Sequence, residues 1–433
     1  IEQGRTRSEC GRDSDTVNIW VPVLGLGMGV VAFGEQPSSW WESFENDVLS
    51  GWVEEGLAAH PDPTAALAEV KSARYQRDRA AAAGGPTGDL KLALRGGREK
   101  TMYSGREVGT IDPVAGSVTL SWELDLFGKV KHATKAAAAR GEMSVAELRG
   151  VRLLLGVEIA RQVFEAALLR DTAVVESEVV DVAGRLEARI RSRVEAGLAA
   201  QGELDRAEAR RHMAEHAHAQ TEVSLAQSLN RISSLVGMPL ATDQLPRLTD
   251  MSLPPALAFE KKKQVQGRPD VMAAWWRLQG VVSDAERAKR ARAPTFALVA
   301  SAAGEADSEG AEPWRAWVGP TVQLPLWRPD LKADSRRAQA EAEAAQANFE
   351  SVALAALREI EDARIRRTHA EEMMGHAAER HAVLVRASAS EHRKRQAGLI
   401  QEDVLQGARV ADLEAARGAL VWRKYALMAQ LDL

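Results

Sequence analysis

A single cysteine, Cys10, in 433 residues excludes an internal disulfide framework and cysteine-rich metal sites. Ser8-Glu9-Cys10 also lacks the small and apolar residues that precede a lipidated cysteine, so no lipid anchor is expected there. The net charge of −5 gives no reason to expect a nucleic-acid partner. Charged residues are instead mixed along the helical stretches, the mark of solvated faces. Long apolar runs are missing too. Ile19 to Phe33 is the nearest candidate, and it is too short and glycine-rich for a membrane-spanning helix. Aromatics are only 5%, yet Tyr103, Trp122, Phe127, Phe296, Trp314, Trp317 and Trp327 fall in or beside the strand-like stretches. There they would be core in a soluble protein or interfacial girdles in a membrane barrel.

Proline is absent from Lys129 to Val194 and again from Asp330 to Leu433. One continuous helix over the first of these runs would be roughly 100 Å long at 1.5 Å per residue. Immediately before it, Val118, Leu120, Trp122, Leu124 and Leu126 alternate with Thr119, Ser121, Glu123, Asp125 and Phe127. That is the period of a strand with one apolar face. At Gly128 the period changes to that of a helix.

The chain does this twice. Val318, Pro320, Val322, Leu324 and Leu326 match the first alternation 200 positions on, and upstream Pro61-Asp62, Arg79 and Pro86 recur as Pro269-Asp270, Arg287 and Pro294 at an offset of 208. The difference falls between the Pro86/Pro294 and Leu124/Leu324 pairs, so one hairpin loop is longer. Two structural repeats follow, with the mismatch confined to a loop.

In order, residues 1–39 read as a leader, with Ala32-Phe33-Gly34 supplying the small residues of a signal-peptidase site and Arg5, Arg7 and Arg12 lying upstream. Gly27-Met-Gly29-Val-Val-Ala32 fits a dinucleotide fingerprint, but Pro37 and Trp40-Trp41 stand where its helix should follow, and nucleotide binding is not expected. The first repeat spans 40–238. It holds helices over Phe44–Ala59 and Pro63–Ala83, a hairpin over about 88–127 with a polar loop from Gly96 to about Gly116, and a helix pair over 129–236. Val175, Val179, Val182, Leu186, Ile190 and Val194 form a seam along its first long helix. Residues 239–268 are a linker. The second repeat, 269–433, holds a helix over Pro269–Arg292, a hairpin over about 294–327 with strands near Thr295–Ser301 and Trp314–Leu326, and a helix pair over 331–433. Turns are expected at Gly197 and at Gly398.

His212-Met-Ala-Glu215-His216 matches the H-x-x-E-H arrangement of inverted zinc peptidases and puts both histidines on one helical face. The surrounding helix is charge-studded and offers little apolar material for a substrate pocket. Catalysis is therefore not expected, nor is any cofactor. A zinc-dependent hydrolase using His212, Glu215 and His216 and a soluble coiled-coil scaffold remain the rival functional readings.

These features together resemble the TolC-like outer-membrane efflux protein family. The resemblance covers about residues 40–433 and rests on Trp122-Glu-Leu-Asp-Leu-Phe-Gly-Lys129, Arg268-Pro-Asp-Val271, Gly319-Pro320 with Leu324-Pro-Leu326, and the turns at Gly197 and Gly398. Three departures stand out: Trp327-Arg-Pro-Asp-Leu331 at the second strand-to-helix junction, Asp403 one residue closer to its glycine than usual, and no glycine-rich ending before Leu433. The last leaves truncation as an expectation. The resemblance implies a mainly α chain with a small β part. Its homotrimer would form a long α-helical barrel continuous with a membrane β-barrel of four strands per chain, in the bacterial outer membrane and extending into the periplasm. Physical reasoning reaches part of this: four strands cannot close a transmembrane barrel, and open edges in lipid leave backbone groups unpaired, so chains must pool strands.

The implied function is a passive exit channel of a tripartite efflux or secretion system, working with a periplasmic adaptor and an inner-membrane transporter. Leu120, Trp122, Val318 and Val322 are expected to face lipid. Arg193, Gly197, Leu198, Arg395, Gly398 and Leu399 are the implied adaptor-docking residues, and Glu402 and Asp403 the implied acidic ring at the channel aperture.

Overall fold

The computed structural model describes residues 39–94, 101–103, 106–108, 114–255, 261–306 and 314–432. Cys10, the upstream arginines, the apolar run to Phe33, the Gly27 fingerprint and the signal-peptidase site lie outside them. The described residues form one compact unit.

Two short helices come first. A 3-10 turn, Trp40–Phe44, ends at Glu45 with φ 51°, and α1 (Asp47–Ala59) starts anew under the Asn46 side chain, which accepts from the Leu49 amide. The expected single helix from Phe44 is therefore two elements, broken where Glu45 takes a left-handed backbone. Helix α2 (Pro61–Ala82) follows with proline in its first turn. Strand β1 (Thr87–Leu94) leads to a small hairpin, β2 (Thr101–Tyr103) with β3 (Arg106–Val108), inside what reads from sequence as a polar loop. Strand β4 (Val114–Leu124) then feeds α3 (Lys129–Glu195), a helix of 67 residues. At 1.5 Å per residue it is roughly 100 Å long. Helix α4 (Gln201–Val236) returns and stops at Gly237, whose φ of 85° suits glycine.

The expected linker contains 3-10 turns at Thr242–Gln244 and Leu248–Asp250 and a short helix, α5 (Lys261–Gly267). The cycle repeats with α6 (Pro269–Arg290), β5 (Thr295–Ala306), β6 (Trp314–Gln323), α7 (Pro329–Gln396) of 68 residues, and α8 (Glu402–Leu431). Both α2 and α6 have 22 residues and begin with Pro-Asp.

Strand and helix order share one logic. The sheet runs β1-β4-β5-β6, antiparallel throughout. Each strand is joined directly to a helix, so α2, α3, α6 and α7 pack side by side in the same order. Ring and ion-pair contacts mark the seams: Trp275 lies 5.4 Å from Phe349 between α6 and α7, and Arg140 of α3 pairs with Asp284 of α6. Farther from the sheet, α4 and α8 flank α3, and α7 lies on α8, with Arg191–Glu208, Lys424–Glu165 and His381–Asp412 along the seams. Midway, α1, α3, α4, α8 and the linker close a core around Phe44, Ile159, Phe164, Ile232, Leu248, Met251 and Leu427.

No described helix is long and apolar enough to cross a membrane.

Candidate functional site: sheet faces, strand-to-helix junctions and distal turns

Register settles which side chains share a face of the sheet. Leu90 opposes Val118, Val118 opposes Ala302 and Ala302 opposes Ala316; Leu120 opposes Ala300, which opposes Val318; Trp122 opposes Leu298, which opposes Pro320; Phe296 opposes Val322. Residues directly opposite lie on one face. Leu120, Trp122, Val318 and Val322 therefore share one apolar face, together with Leu90, Leu92 and Trp314, and all are exposed in the single chain. The reverse face carries Asp89, Lys91, Ser117, Thr119, Ser121, Glu123, Ser301, Arg315, Trp317 and Thr321. A sheet with one apolar and one polar face, exposed on both, needs different solvents on its two sides. Its outer strands, β1 and β6, each have one unpaired edge among the described residues.

At the first strand-to-helix junction the alternation read to Leu126 and Phe127 overruns the strand. The chain turns after Leu124, where the Leu126 amide donates to the Leu124 carbonyl at 2.8 Å. Gly128 has φ 80°. The turn frees Asp125 to cap the helix that follows, and its two carboxylate oxygens accept from the Val130 and Lys131 amides at 3.0 and 2.8 Å. These are first-turn donors that the helix itself cannot satisfy, and a carboxylate also suits the positive end of the helix dipole. Lys129 pairs with Glu123 at 2.7 Å across the same junction. The second junction is built differently. Pro329 opens α7, no side chain caps it, and Arg328 pairs with Asp330 at 2.6 Å. The strand there ends at Gln323, short of the expected Leu326.

The two distal turns are near copies. Gly197 and Gly398 have φ 74° and 73°. Leu198 donates its amide to the Arg193 carbonyl at 2.7 Å, and Leu399 donates to the Lys394 carbonyl at 2.9 Å, the long bond of a glycine C-terminal cap. Leu198 and Leu399 are 70% and 74% exposed, so each turn displays one leucine to solvent. Arg193 caps its own turn by donating to the Leu198 carbonyl at 3.2 Å.

The structure separates the two acids of the expected aperture. Glu402 is held on both oxygens: Gln406 donates to Oε1 at 2.6 Å, and Arg395 donates to Oε2 at 2.9 Å, with Arg189 of α3 at 3.5 Å. The Gln406 hydrogen bond and then the Arg395 guanidinium hold its carboxyl below the ordinary glutamate value. Asp403 is exposed and forms no ion pair among the described residues. Arg189 lies 213 positions from Glu402, and sequence reasoning had no signal for it.

The H-x-x-E-H stretch sits on α4. Glu215 is taken by Arg211 and by His212, whose Nδ1 lies 3.1 Å from Oε2. Arg211 also binds the buried Glu187 of α3, whose carboxyl it holds below its ordinary value. Glu215 thus serves an α3–α4 ion-pair network, and no group of three metal-ligating side chains occurs among the described residues. Sequence reasoning also missed Arg423, which donates to the carbonyls of Leu248, Thr249 and Met251 and straps the linker to α8.

Two long helices fed by strands of one antiparallel sheet, each ending in a glycine turn, define the TolC-like outer-membrane channel fold. The solved structure of the outer-membrane channel OprN superposes with TM-score 0.78 at 22% identity over 91% of each chain. VceC of Vibrio cholerae superposes with TM-score 0.76 at 22% identity, covering 92% of this chain and 98% of that one. Residues 52–238 match the model of the outer membrane efflux protein family. Among curated relatives, the fusaric acid resistance protein FusA of Burkholderia cepacia is 26% identical over 279 residues, 63% of this chain but only 52% of FusA. The outer membrane protein OprJ of Pseudomonas aeruginosa is 28% identical over 352 residues, 75% of this chain and 70% of OprJ. The matching family is described as outer membrane efflux proteins, and OprN as an outer-membrane channel.

Proposed function

We propose that this chain is one protomer of a passive outer-membrane exit channel, a homotrimer that carries cargo from the periplasm to the exterior. The observation that carries the reading is the four-stranded antiparallel sheet with one apolar face and two open edges, continuous with a wall of long helices. An open edge cannot stay in lipid. Strands alternate in direction from β1 to β6, so β6 of one copy meets β1 of the next antiparallel, and identical copies can close a ring. One copy is too small for a barrel; three give twelve strands. In that ring the apolar face with Leu120, Trp122, Val318 and Val322 meets lipid and the polar face lines the lumen.

The distal turns then lie together at the periplasmic end. Arg193, Gly197, Leu198, Arg395, Gly398 and Leu399 form the surface that docks a periplasmic adaptor, which in turn connects to an inner-membrane transporter. The two exposed leucines support this reading. Asp403 supplies the charge of the aperture ring, while Glu402 holds the turn. FusA is named for resistance to fusaric acid, and small organic molecules are the cargo class proposed here.

The test is membrane fractionation followed by mass measurement of the detergent-solubilised protein and conductance in planar bilayers. A trimer of 47.0 kDa chains that conducts supports the channel. A monomer that stays in the aqueous fraction refutes it.

A further inference from the structure

Trp317 is the one aromatic side chain on the polar face of the sheet among the described residues. Alternation along β6 puts Arg315, Trp317 and Gly319 on that face, and the register extends the rows across it. Trp317 opposes Ser301, which opposes Thr119; Arg315 opposes Ala303, which opposes Ser117. A large indole and a guanidinium therefore stand among small neighbours. Gly319, on the other side of Trp317, has open space above it.

The other sheet tryptophans have evident roles. Trp122 donates its indole N–H to the Gly84 carbonyl at 2.9 Å, and Trp314 lies on the apolar face. Trp317 has neither explanation. It is 55% exposed, and neither it nor the exposed Arg315 makes a hydrogen bond, ion pair or ring contact among the described residues. Two residues apart on one strand, their backbones are about 7 Å from each other. That is the span of a fused aromatic ring bearing a carboxylate: the indole offers a flat apolar face for stacking, and the guanidinium a partner for the charge.

We infer that Trp317 and Arg315 form a contact subsite for planar aromatic carboxylates. The inference rests on the channel reading above, which makes the polar face the lumen and places three such pairs around one axis. Cargo with both a ring and a negative charge lingers there; aliphatic acids and neutral aromatics do so less.

The experiment uses the full-length protein in planar bilayers, with naphthalene-2-carboxylate as probe. Cyclohexanecarboxylate and naphthalene-2-methanol serve as controls lacking the ring and the charge respectively. The expected result is interruption of current by the naphthoate at concentrations where neither control acts. Trp317→Leu should raise the half-blocking concentration roughly 3- to 10-fold, while Trp317→Phe keeps most of the block and reports that the barrel still forms. Arg315→Gln should weaken the naphthoate block without changing the response to the alcohol. Trp314→Leu, on the opposite face, should leave the block unchanged. A conducting pore that naphthoate does not block, or blocks equally in Trp317→Leu, overturns this inference and leaves the channel standing. Absence of any conductance overturns both.

Discussion

The Arg395 Nε donates to the Glu402 Oε2 at 2.9 Å, across the turn that joins the second long helix to the last one. Arg189, from the first long helix, reaches the same oxygen at 3.5 Å. Glu402 thus ties three helices together near the distal end. The Gln406 and Arg395 hydrogen bonds lower its pKa below the ordinary 4.5, so its stabilising effect is fully present above that value. It is lost as pH falls through the lowered folded-state value. Amide exchange across residues 396–406 should be slow and pH-independent, after correction for intrinsic rates, from neutrality down to about the ordinary carboxylate pKa. Below it, protection should fall, and Glu402→Gln should bring the loss to neutral pH. Protection that persists unchanged into strong acid would remove Glu402 from this role.

Asp403 and Glu402 should separate in conductance. Asp403 is exposed with no ion pair among the described residues, whereas the charge on Glu402 is already matched by two arginines. Three unpaired carboxylates around an axis concentrate cations. Asp403→Asn should weaken both cation selectivity and block by multivalent cations in single-channel recordings; Glu402→Gln should change them less. The reverse order would show that the turn rearranges in the assembled channel.

The two strand-to-helix junctions should respond unequally to loss of their aspartates. Asp125 accepts from two first-turn amides of α3, and its replacement by alanine should cost about 0.5–2 kcal/mol, the usual range for a lost helix cap. Asp330 pairs with Arg328 at an exposed site where proline already opens the helix. Asp330→Ala should therefore cost less. Denaturant midpoints of the two variants, compared at equal m-value, decide this.

Much of this architecture was legible because its signals are long and local. The change of period at Gly128 places the start of α3 at Lys129, and the turn at Gly197 places its end within a residue of Val194. Strand ends were less legible, since Leu126 and Phe127 keep the alternation after the backbone has turned to deliver Asp125 to α3. The break at Glu45 is a backbone event whose one side-chain mark is Asn46, an N-cap residue type that a helix read from Phe44 passes over. Glu402 could be picked out as an acid beside a turn, but its partner Arg189 comes from the other repeat, and sequence spacing carries no information about that encounter.

The sheet faces give the last prediction. Leu120 and Val322 lie on the apolar face, while Thr119 and Thr321 point the other way. If the apolar face meets lipid, arginine at Leu120 or Val322 must leave its charge in hydrocarbon or drag water to it, at a cost of about 2–4 kcal/mol near the bilayer midplane. Arginine at Thr119 or Thr321 enters a watery lumen and should cost little. Each residue has its neighbour in sequence as control, so backbone position and strand propensity are nearly matched and the face is the main variable. The readout is the yield of detergent-extracted trimer relative to the unaltered protein. Equal losses at all four positions would mean that both faces are packed against protein, and the lipid-facing assignment of Leu120, Trp122, Val318 and Val322 would fall with that result.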